Sequence, residues 1–262
     1  MTTARPSRNF DRAADFYDRT RSLPSDAMAE IIPMLAAELE GRGGCLEIGV
    51  GTGRFALPLH HAGIPMFGID VSRRMMAVLL EKAGGRLPFP LGVADATRLP
   101  FSDRSFGSGI ACHVLHLIPE WPKAIDELMR VIRPGGVILV DRGGRSRDQF
   151  VDRIRDRFMV EAGIQRRHPG ADGPGSDVEG TLVARGATVE RLPTVLAHHT
   201  ATAAALIDGL EANHYSWTWS LDDATRCRAA EGTRAWVAEQ FGPLDEAHPV
   251  AASVNWRAYH LP

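Results

Sequence analysis

Three glycines near residue 50 form a pattern suited to holding a small ligand. Gly49, Gly51 and Gly53 follow the apolar run 45–48 and precede a stretch with helical periodicity. Glycine lets the backbone approach a ligand closely, and a helix N-terminus offers unpaired N–H groups to a carboxylate or phosphate. Dinucleotide folds space these glycines as G-x-G-x-x-G, and a P-loop ends in Gly-Lys-Ser/Thr. The spacing here matches neither, so the glycines alone leave open a ligand loop or a plain tight turn.

Two aspartates follow the next two apolar runs. Asp70 ends the run 66–70, and Asp95 comes directly after the run 89–94. The carboxyl ends of parallel strands meet at one edge of a sheet, where open α/β folds bind their ligands. We therefore expect the glycine loop and both carboxylates to share a site. Asp70 is placed to accept hydrogen bonds from both hydroxyls of a ribose, and capping of the next helix is the structural alternative.

Alternation of short apolar runs with helical stretches predicts βαβ units and a parallel sheet. Strands are expected over residues 45–50, 66–70, 89–94, 106–114 and 137–141. Helices are expected over 54–62, after Ser72 as N-cap, and over 121–132, where residues 134–136 end the helix and precede the fifth strand.

The flanking regions continue this alternation. Residues 9–17 and 27–40 are predicted to form two helices that cover the sheet, and 146–162 a solvated outer helix. A Pro/Gly-rich loop is expected over 168–175. Helices are then expected over 177–185, 201–213 and 223–240, and strands over 188–196 and 250–259.

Five segments together resemble one enzyme family in order and spacing. They are Leu-Glu-Ile-Gly-Val-Gly-Thr-Gly at 46–53, Ile-Asp-Val-Ser at 69–72, Ala-Asp-Ala-Thr-Arg-Leu-Pro-Phe-Ser-Asp-Arg-Ser-Phe at 94–106, His-Val-Leu-His-Leu-Ile-Pro-Glu-Trp at 113–121 and Arg-Val-Ile-Arg-Pro-Gly-Gly at 130–136. They resemble class I S-adenosylmethionine (SAM)-dependent methyltransferases of the type 11 group, which includes ubiquinone and menaquinone biosynthesis enzymes. The matching block covers about 44–141, and residues 10–19 also resemble that group.

The resemblance implies an α/β fold, a Rossmann-like αβα sandwich around a mostly parallel seven-stranded sheet whose last strand is antiparallel. It implies one methyltransferase domain over 1–262, with an N-terminal helical lid at 1–43, a SAM-binding core at 44–141 and a C-terminal half at 142–262 that carries a helical insertion on the substrate side. One residue departs from the family pattern, because Gly107 stands where members commonly have Asp. We expect that change to affect loop packing more than cofactor binding.

The resemblance also implies residue roles. Glu47 and the glycine loop would hold the methionyl part of SAM, Asp70 the ribose hydroxyls and Asp95 the adenine amino group. Tyr17 and Arg21, from the lid, would close over the methionyl carboxylate, although Arg21 could equally be a surface residue. The full set of expected cofactor contacts is Tyr17, Glu47, Gly49, Gly51, Gly53, Asp70, Val71, Met75, Asp95, Ala96, Cys112, His113 and Val114.

Methyl transfer from a sulfonium is an in-line displacement that needs alignment and exclusion of water, and no metal. A hydroxyl or amine acceptor also needs a base. His113 and His116 are the candidate catalytic residues, with packing or hydrogen bonding as the alternative role for each. Further histidines and aromatics lie in the C-terminal half, where the segment 213–219 suits either an acceptor pocket or the anchoring of a helix.

Composition narrows the function further. The 262 residues include 30 basic and 32 acidic side chains, a formal net charge of −2, which argues against a nucleic-acid partner. No apolar run is long enough for a membrane span, and the charged N-terminus does not resemble a signal peptide, so we expect a cytoplasmic protein. The three cysteines lie far apart in sequence, so neither disulfides nor a zinc site are expected.

The sequence thus predicts a SAM-dependent methyltransferase (EC 2.1.1.-) that acts on a small-molecule acceptor and releases S-adenosylhomocysteine. Two alternatives stay open. One is an NAD(P)-dependent oxidoreductase, which the glycine spacing and the absence of a Tyr-x-x-x-Lys pair oppose. The other is a protein that binds SAM without transferring its methyl group. The sequence leaves the acceptor atom and the oligomeric state undetermined.

Overall fold

The computed structural model describes residues 9–141, 149–165, 170–171 and 176–262. The strands are β1 (Cys45–Ile48), β2 (Met66–Asp70), β3 (Leu91–Val93), β4 (Phe106–Cys112), β5 (Ile132–Asp141), β6 (Thr188–Arg191), β7 (Val195–Ala201), β8 (His248–Val254) and β9 (Trp256–His260). The helices are α1 (Tyr17–Arg21), α2 (Ser25–Leu39), α3 (Ala56–His61), α4 (Arg73–Lys82), α5 (Trp121–Val131), α6 (Gln149–Glu161), α7 (Val178–Ala184), α8 (Ala203–Glu211) and α9 (Asp223–Gln240). None of the described helices combines the length and apolar character needed to cross a membrane.

Seven strands form one sheet in the order β3-β2-β1-β4-β5-β9-β6. The pairs among β1 to β5 are parallel, and β9 runs antiparallel to both β5 and β6. The predicted Rossmann-like sheet with an antiparallel last strand is confirmed. The strand order reverses between β1 and β4, so the carboxyl ends of these neighbours define the crevice where such sheets bind ligands.

The centre of this sheet is fully buried. Every residue of β1 and of β4 is buried, as expected of parallel strands that helices cover on both faces. One core cluster joins the sheet to α5 and α7, which place Ile125, Leu128 and Leu182 against it. This packing holds the strand ends rigidly, so the residues after them have fixed positions.

Contacts divide the chain into two compact units. The first comprises residues 1–143, 168–195 and 254–262, and the second comprises 144–167 and 196–253. The expected organisation as one domain with a lid, a core and a C-terminal half stays a prediction. The second unit contains α6, α8 and α9, whose apolar residues form a separate core, and the strands β7 and β8 pair in a sheet of their own.

Helix α6 differs from its predicted character. We expected a solvated outer helix, yet Phe150, Ile154 and Phe158 are at most 9% exposed and belong to the core of the second unit. Val160 is the exception, at 71% exposed. The charged residues between them obscured an apolar stripe at helical spacing. The predicted start of this helix at 146–148, and most of the predicted loop 168–175, lie outside the described residues.

Several boundaries also differ from prediction. The strand expected over 188–196 is two strands in different sheets, β6 and β7, separated at Pro193. The strand expected over 250–259 likewise divides at Asn255 into β8 and β9. Residues 134–136 lie inside β5, where the pairing with β4 is irregular, because Ile132 already pairs with Phe106. The helix expected over 9–17 is a short turn at Asp11–Ala13 followed by α1.

Candidate functional site

The loop after β1 is tied to the end of β2 by one carboxylate. The backbone N–H of Gly51 donates to Oδ2 of Asp70 at 2.9 Å, and the N–H of Ser72 donates to Oδ1 at 2.8 Å. Burial raises the pKa of Asp70, and these N–H bonds oppose that rise. Each carboxylate oxygen has a second lone pair, so Asp70 can still accept two hydrogen bonds from a ligand. The expected juxtaposition of loop and Asp70 is present.

The glycines of this loop lie so close to neighbouring side chains that there is little or no space for a Cβ atom. At Gly49, with a φ of +67°, a Cβ would lie 2.5 Å from Cγ2 of Val114. At Gly53 it would lie 2.8 Å from the side chain of Leu79. At Gly51 the nearest atom would be Cε of Met75, at 3.3 Å. The fold therefore brings Val114 and Met75 to the loop, and Gly51 occupies the least crowded of the three positions. The expected contacts of Val114 and Met75 with SAM stay predictions.

The third strand contributes Asp95, directly after β3. Its Oδ1 accepts from the backbone N–H of Thr97 at 2.9 Å and from the Thr97 hydroxyl at 2.8 Å. Asp95 is partly buried and Ala96 is buried in the core. Val71, beside Asp70, is partly exposed. These residues occupy the carboxyl edge of β2 and β3, so the edge can present an apolar side chain and a carboxylate to a flat ligand.

Glu47 is buried and Arg54 is partly buried beside the loop. Glu47 is 3% exposed, and its Oε2 has no hydrogen-bond partner among the described residues. Burial raises the pKa of Glu47 to about 8, and the charge of Arg54 partly offsets this rise. An orphaned acceptor of this kind would be satisfied by a ligand's ammonium group. The residues present therefore fit the amino-acid end that the predicted cofactor would bring.

A second polar cluster lies at the ends of β4 and β5. Nε2 of His113 lies 2.8 Å from Oδ2 of Asp141, and Sγ of Cys112 lies 3.7 Å from the same oxygen. On its other side, Cys112 accepts a hydrogen bond from Nη2 of Arg54 at 3.3 Å. The ring of His116 lies 6.5 Å from that of His113. Both candidate catalytic histidines are thus close together, and His113 has a carboxylate partner.

Cys112, His113 and Asp141 also have the mutual spacing of a metal site, because their ligand atoms lie within 4.8 Å of one another. Two observations favour a hydrogen-bonded cluster instead. Burial raises the pKa of the Cys112 thiol well above its usual value, whereas a metal needs the thiolate. The guanidinium of Arg54 also touches the sulfur and would repel a divalent ion.

The N-terminal segment contacts the same edge through three carboxylates. Asp11 accepts a hydrogen bond from the Ser72 hydroxyl at 2.5 Å, and Asp15 pairs with Arg74. Asp18 accepts from the Thr52 hydroxyl of the glycine loop at 2.6 Å and from Lys82 at 3.0 Å. These bonds place residues 9–21 beside the loop, the position expected of a lid.

Tyr17 and Arg21 belong to this segment. Burial raises the pKa of Tyr17, whose hydroxyl also feels the charge of Arg54. The expected contact of Tyr17 with the methionyl carboxylate stays a prediction. Arg21 contributes its backbone, because its carbonyl accepts a hydrogen bond from Arg54 at 2.8 Å.

Gly107 has a local structural explanation. A Cβ at this position would lie 1.5 Å from the backbone carbonyl oxygen of Arg42, which also accepts a hydrogen bond from Arg133. Gly107 lies at the amino end of β4, opposite to the edge that carries the candidate site. Its departure from the family pattern therefore serves backbone packing, as expected.

Aromatic residues of the segment 213–219 have structural partners within the second unit. Trp217 is 8% exposed and packs edge-on against Phe158, and Arg155 lies over the ring of Tyr215. Nε1 of Trp219 donates to the carbonyl of Asn213 at 3.0 Å. These contacts favour the anchoring interpretation over the acceptor pocket.

Sequence reasoning missed two residues of the polar clusters, Arg54 and Asp141. A signal for Asp141 was present, since it ends the predicted fifth strand and reaches the same sheet edge as Asp70 and Asp95. Arg54 carried no comparable signal, because an arginine after a glycine loop is more often exposed. Arg54 is only partly exposed, and its charge is stabilised there by Cys112, Tyr17 and Asp141.

A comparison with protein families matches residues 46–140 to a model described as a methyltransferase domain. The match covers the glycine loop, the ends of β2, β3 and β4, and most of β5. Residues 46–140 are thus similar to methyltransferase domains. The resemblance predicted from the motifs is confirmed for this part of the chain.

The segments matched by two curated relatives are longer than this domain. A phosphatidylethanolamine N-methyltransferase from Cereibacter sphaeroides is 38% identical over 130 residues, which are 47% of this chain and 64% of that protein. A demethylmenaquinone methyltransferase from Clavibacter sepedonicus is 32% identical over 153 residues, 57% of this chain and 62% of that protein. The chain thus matches less than two thirds of the length of either relative.

A solved structure shows the same fold as the methyltransferase domain and its surroundings. It is an N-methyltransferase from Haemonchus contortus in complex with phosphomonomethylethanolamine and S-adenosylhomocysteine. The TM-score is 0.55 at 17% identity, over 96% of this chain and 57% of that one. At this identity the likeness establishes the class I methyltransferase fold.

Proposed function

We propose that this protein binds SAM at the carboxyl edge of β1, β2 and β3 and transfers its methyl group to a small-molecule acceptor. One observation carries the proposal. Two backbone N–H groups orient the Asp70 carboxylate beside a glycine loop, and the orphaned Glu47 oxygen lies in the same region. This arrangement offers acceptors for the ribose hydroxyls and for the methionyl ammonium group of one ligand.

The proposed roles follow the geometry of the edge. Asp70 accepts from the ribose hydroxyls, and Glu47 with the glycine loop holds the methionyl end. Asp95 accepts from the adenine amino group. The apolar contacts come from Val71, Met75, Ala96 and Val114. Cys112 and His113 complete the site on the methyl side, and Tyr17 closes over the methionyl carboxylate.

When bound, SAM supplies an activated methyl group, whose bond to sulfur breaks as a bond to the acceptor forms. The protein's own contribution is alignment and exclusion of water. The polar bonds of Asp11 and Asp18 to Ser72 and Thr52 hold the N-terminal segment at the site. Ile125 and Leu128 of α5 share one core cluster with Ala111, near the end of β4, and this packing helps to hold that end in place.

Titration calorimetry with S-adenosylhomocysteine tests cofactor binding. We expect micromolar affinity for the wild type and at least tenfold weaker binding in Asp70→Ala, a loss of about 1.4 kcal/mol. Asp245→Ala, at an exposed carboxylate of the second unit, is the matched control and should bind normally. NADH is titrated in parallel. Binding of NADH alone, or an undiminished affinity in Asp70→Ala, would refute the proposed site.

Methyl transfer needs a separate measurement, because a protein can bind SAM without using it. We expect radioactive methyl groups from labelled SAM to appear on a small-molecule acceptor. The relatives motivate two acceptor kinds, since their names specify an ethanolamine phospholipid and demethylmenaquinone. Tight cofactor binding without transfer to either kind, or to simpler phenols and amines, would favour the non-catalytic alternative.

A further inference from the structure

The pair formed by His113 and Asp141 is placed by two neighbouring strands. His113 directly follows β4, and Asp141 is the last residue of β5, where it pairs in register with Cys112. The backbone of His113 has a φ of +49°, in the left-handed region that residues other than glycine adopt uncommonly, with Asn, Asp and His the most frequent among them. Such strain persists where the surrounding structure enforces it, and it often marks functional residues.

The two side chains differ in their exposure to solvent. The Asp141 side chain is 2% exposed, whereas that of His113 is 32% exposed. The carboxylate is thus shielded from water while the ring stays accessible. A hydrogen bond between them is consequently stronger than one at the surface, and it fixes the orientation of the imidazole.

The hydrogen-bond direction determines which ring nitrogen is available. A carboxylate accepts a hydrogen bond, so Nε2 of His113 carries the hydrogen that Asp141 receives. In the neutral ring the lone pair then lies on Nδ1. Charged and titratable groups near the pair include Arg54, Cys112 and His116, with Tyr17 and Glu47 beyond them.

We propose that His113, oriented by Asp141, acts as the general base of methyl transfer, so that the acceptor atom is an oxygen or nitrogen that carries a hydrogen. This inference rests on the proposed function. Asp141 is a positioning residue, because it acts through His113. A thioether or a tertiary amine carries no such proton and would make the pair redundant.

Electrons and protons balance in this step. A lone pair of the acceptor atom forms the new bond to the methyl carbon, and the electron pair of the broken carbon–sulfur bond stays on sulfur. Nδ1 of His113 takes the proton that the acceptor loses. The resulting imidazolium is stabilised by Asp141 and later releases the proton to water.

The test begins with the protein before any acceptor is added. Proton NMR of the wild type bound to S-adenosylhomocysteine should show a downfield, slowly exchanging imidazole N–H signal from His113. Asp141→Asn should lose this signal and keep its affinity for S-adenosylhomocysteine. Absence of the signal from the wild type would overturn the pairing, whereas failure to bind S-adenosylhomocysteine would overturn the proposed function instead.

Transfer is then measured with labelled SAM and four probes: phosphoethanolamine, 4-nitrocatechol, dimethyl sulfide and trimethylamine. We expect transfer to one of the first two, which carry N–H or O–H. His113→Gly suits the positive φ and leaves space for imidazole, and it should lower kcat about 10²- to 10⁴-fold. Added imidazole should restore part of that loss. His113→Asn, which also tolerates this φ, should be equally slow without rescue, and Asp141→Asn should be at least about tenfold slower.

His61→Ala, at an exposed histidine of α3, is the matched control and should keep the wild-type kcat. Treatment with EDTA should leave the rate unchanged. Transfer only to dimethyl sulfide or trimethylamine, an undiminished kcat in both His113 variants, or loss of activity with EDTA would overturn the inference. Transfer to none of the probes would count against the proposed function and remove the basis of the inference.

Discussion

Glu47 and Arg54 form the polar surroundings of the glycine loop, where we propose that the ligand binds. Arg54 donates to Cys112 and to the carbonyl of Arg21, and its charge acts on Glu47. Glu47 still keeps one oxygen without a hydrogen-bond partner in the described chain. Burial of an acceptor without a hydrogen bond is unfavourable, which supports the proposal that a ligand supplies the missing partner of Glu47.

The raised pKa of Glu47, about 8, predicts proton release on binding. At pH 7 the free protein holds Glu47 mainly protonated, and a ligand ammonium beside it favours the ionised form. We therefore expect S-adenosylhomocysteine to displace a proton at pH 7 and to bind more tightly as the pH rises from 6 to 8. Calorimetry in buffers with different ionisation enthalpies measures the number of protons released.

Glu47→Gln should abolish most of that release, whereas Glu40→Gln, at an exposed position, should leave it unchanged. Equal proton release in wild type and Glu47→Gln would disprove the assignment.

The raised pKa of Glu47 also makes the stability of the free protein depend on pH. Because the folded pKa of Glu47 lies above the ordinary value of 4.5, the stability that protonated Glu47 contributes at low pH is lost progressively as the pH rises from about 4.5 to about 8.

At the scale of elements, the glycine loop joins β1 to α3 and is shaped by its neighbours. Gly49 combines a φ of +67° with a Cβ position that Val114 already fills. Gly41 has a similar φ of +71° but nothing within 4 Å of its Cβ position. Substitution of Gly41 therefore introduces only backbone strain, whereas substitution of Gly49 introduces backbone strain and a steric clash.

We expect Gly49→Ala to lower the free energy of unfolding by about 2–5 kcal/mol, from left-handed strain together with overpacking. Gly41→Ala should lose about 1–2 kcal/mol, the strain alone. Urea denaturation of both variants gives the comparison. Equal losses would show that Val114 moves aside without cost, and that the loop is less constrained than its contacts imply.

The elements up to β5 could be predicted well because their signals are local. Apolar runs end at Ile48 and Asp70, and Ser72 caps α4 by accepting a hydrogen bond from the N–H of Met75. The carboxyl-edge rule then placed Asp70 beside the loop correctly. The split of 188–196 into β6 and β7 was not predictable in the same way, since both parts have strand-like residues and their separate sheets depend on distant partners.

At the scale of the whole molecule, β9 completes the sheet from far along the chain. It pairs with β5 on one side and β6 on the other. Trp256 and Tyr259 are at most 1% exposed, and the Trp256 ring packs edge-on against Phe55 at 5.1 Å. Sequence patterns predicted a strand here, but not that it would separate from β8 and enter the first unit.

Trp256→Ala should lower the unfolding free energy by about 3–5 kcal/mol, because it leaves a large cavity in the core. His260→Ala, on the same strand, should lose at most about 1 kcal/mol, since its contact with Glu190 is partly exposed and 3.4 Å long. Urea midpoints of the two variants provide the measurement. Similar midpoints would mean that β9 contributes little to the first unit.

The position of β9 also sets the order in which the sheet can form during synthesis. In the sheet, β6 pairs with β9 and with no other described strand, although it is made long before β9. β6 ends at Arg191 and β9 begins at Trp256, so the ribosome needs several seconds for the interval at roughly 5–20 residues per second. Throughout that time the nascent chain carries β5 with one edge uncovered, which makes this edge the place where a chaperone or a wrong strand would first attach.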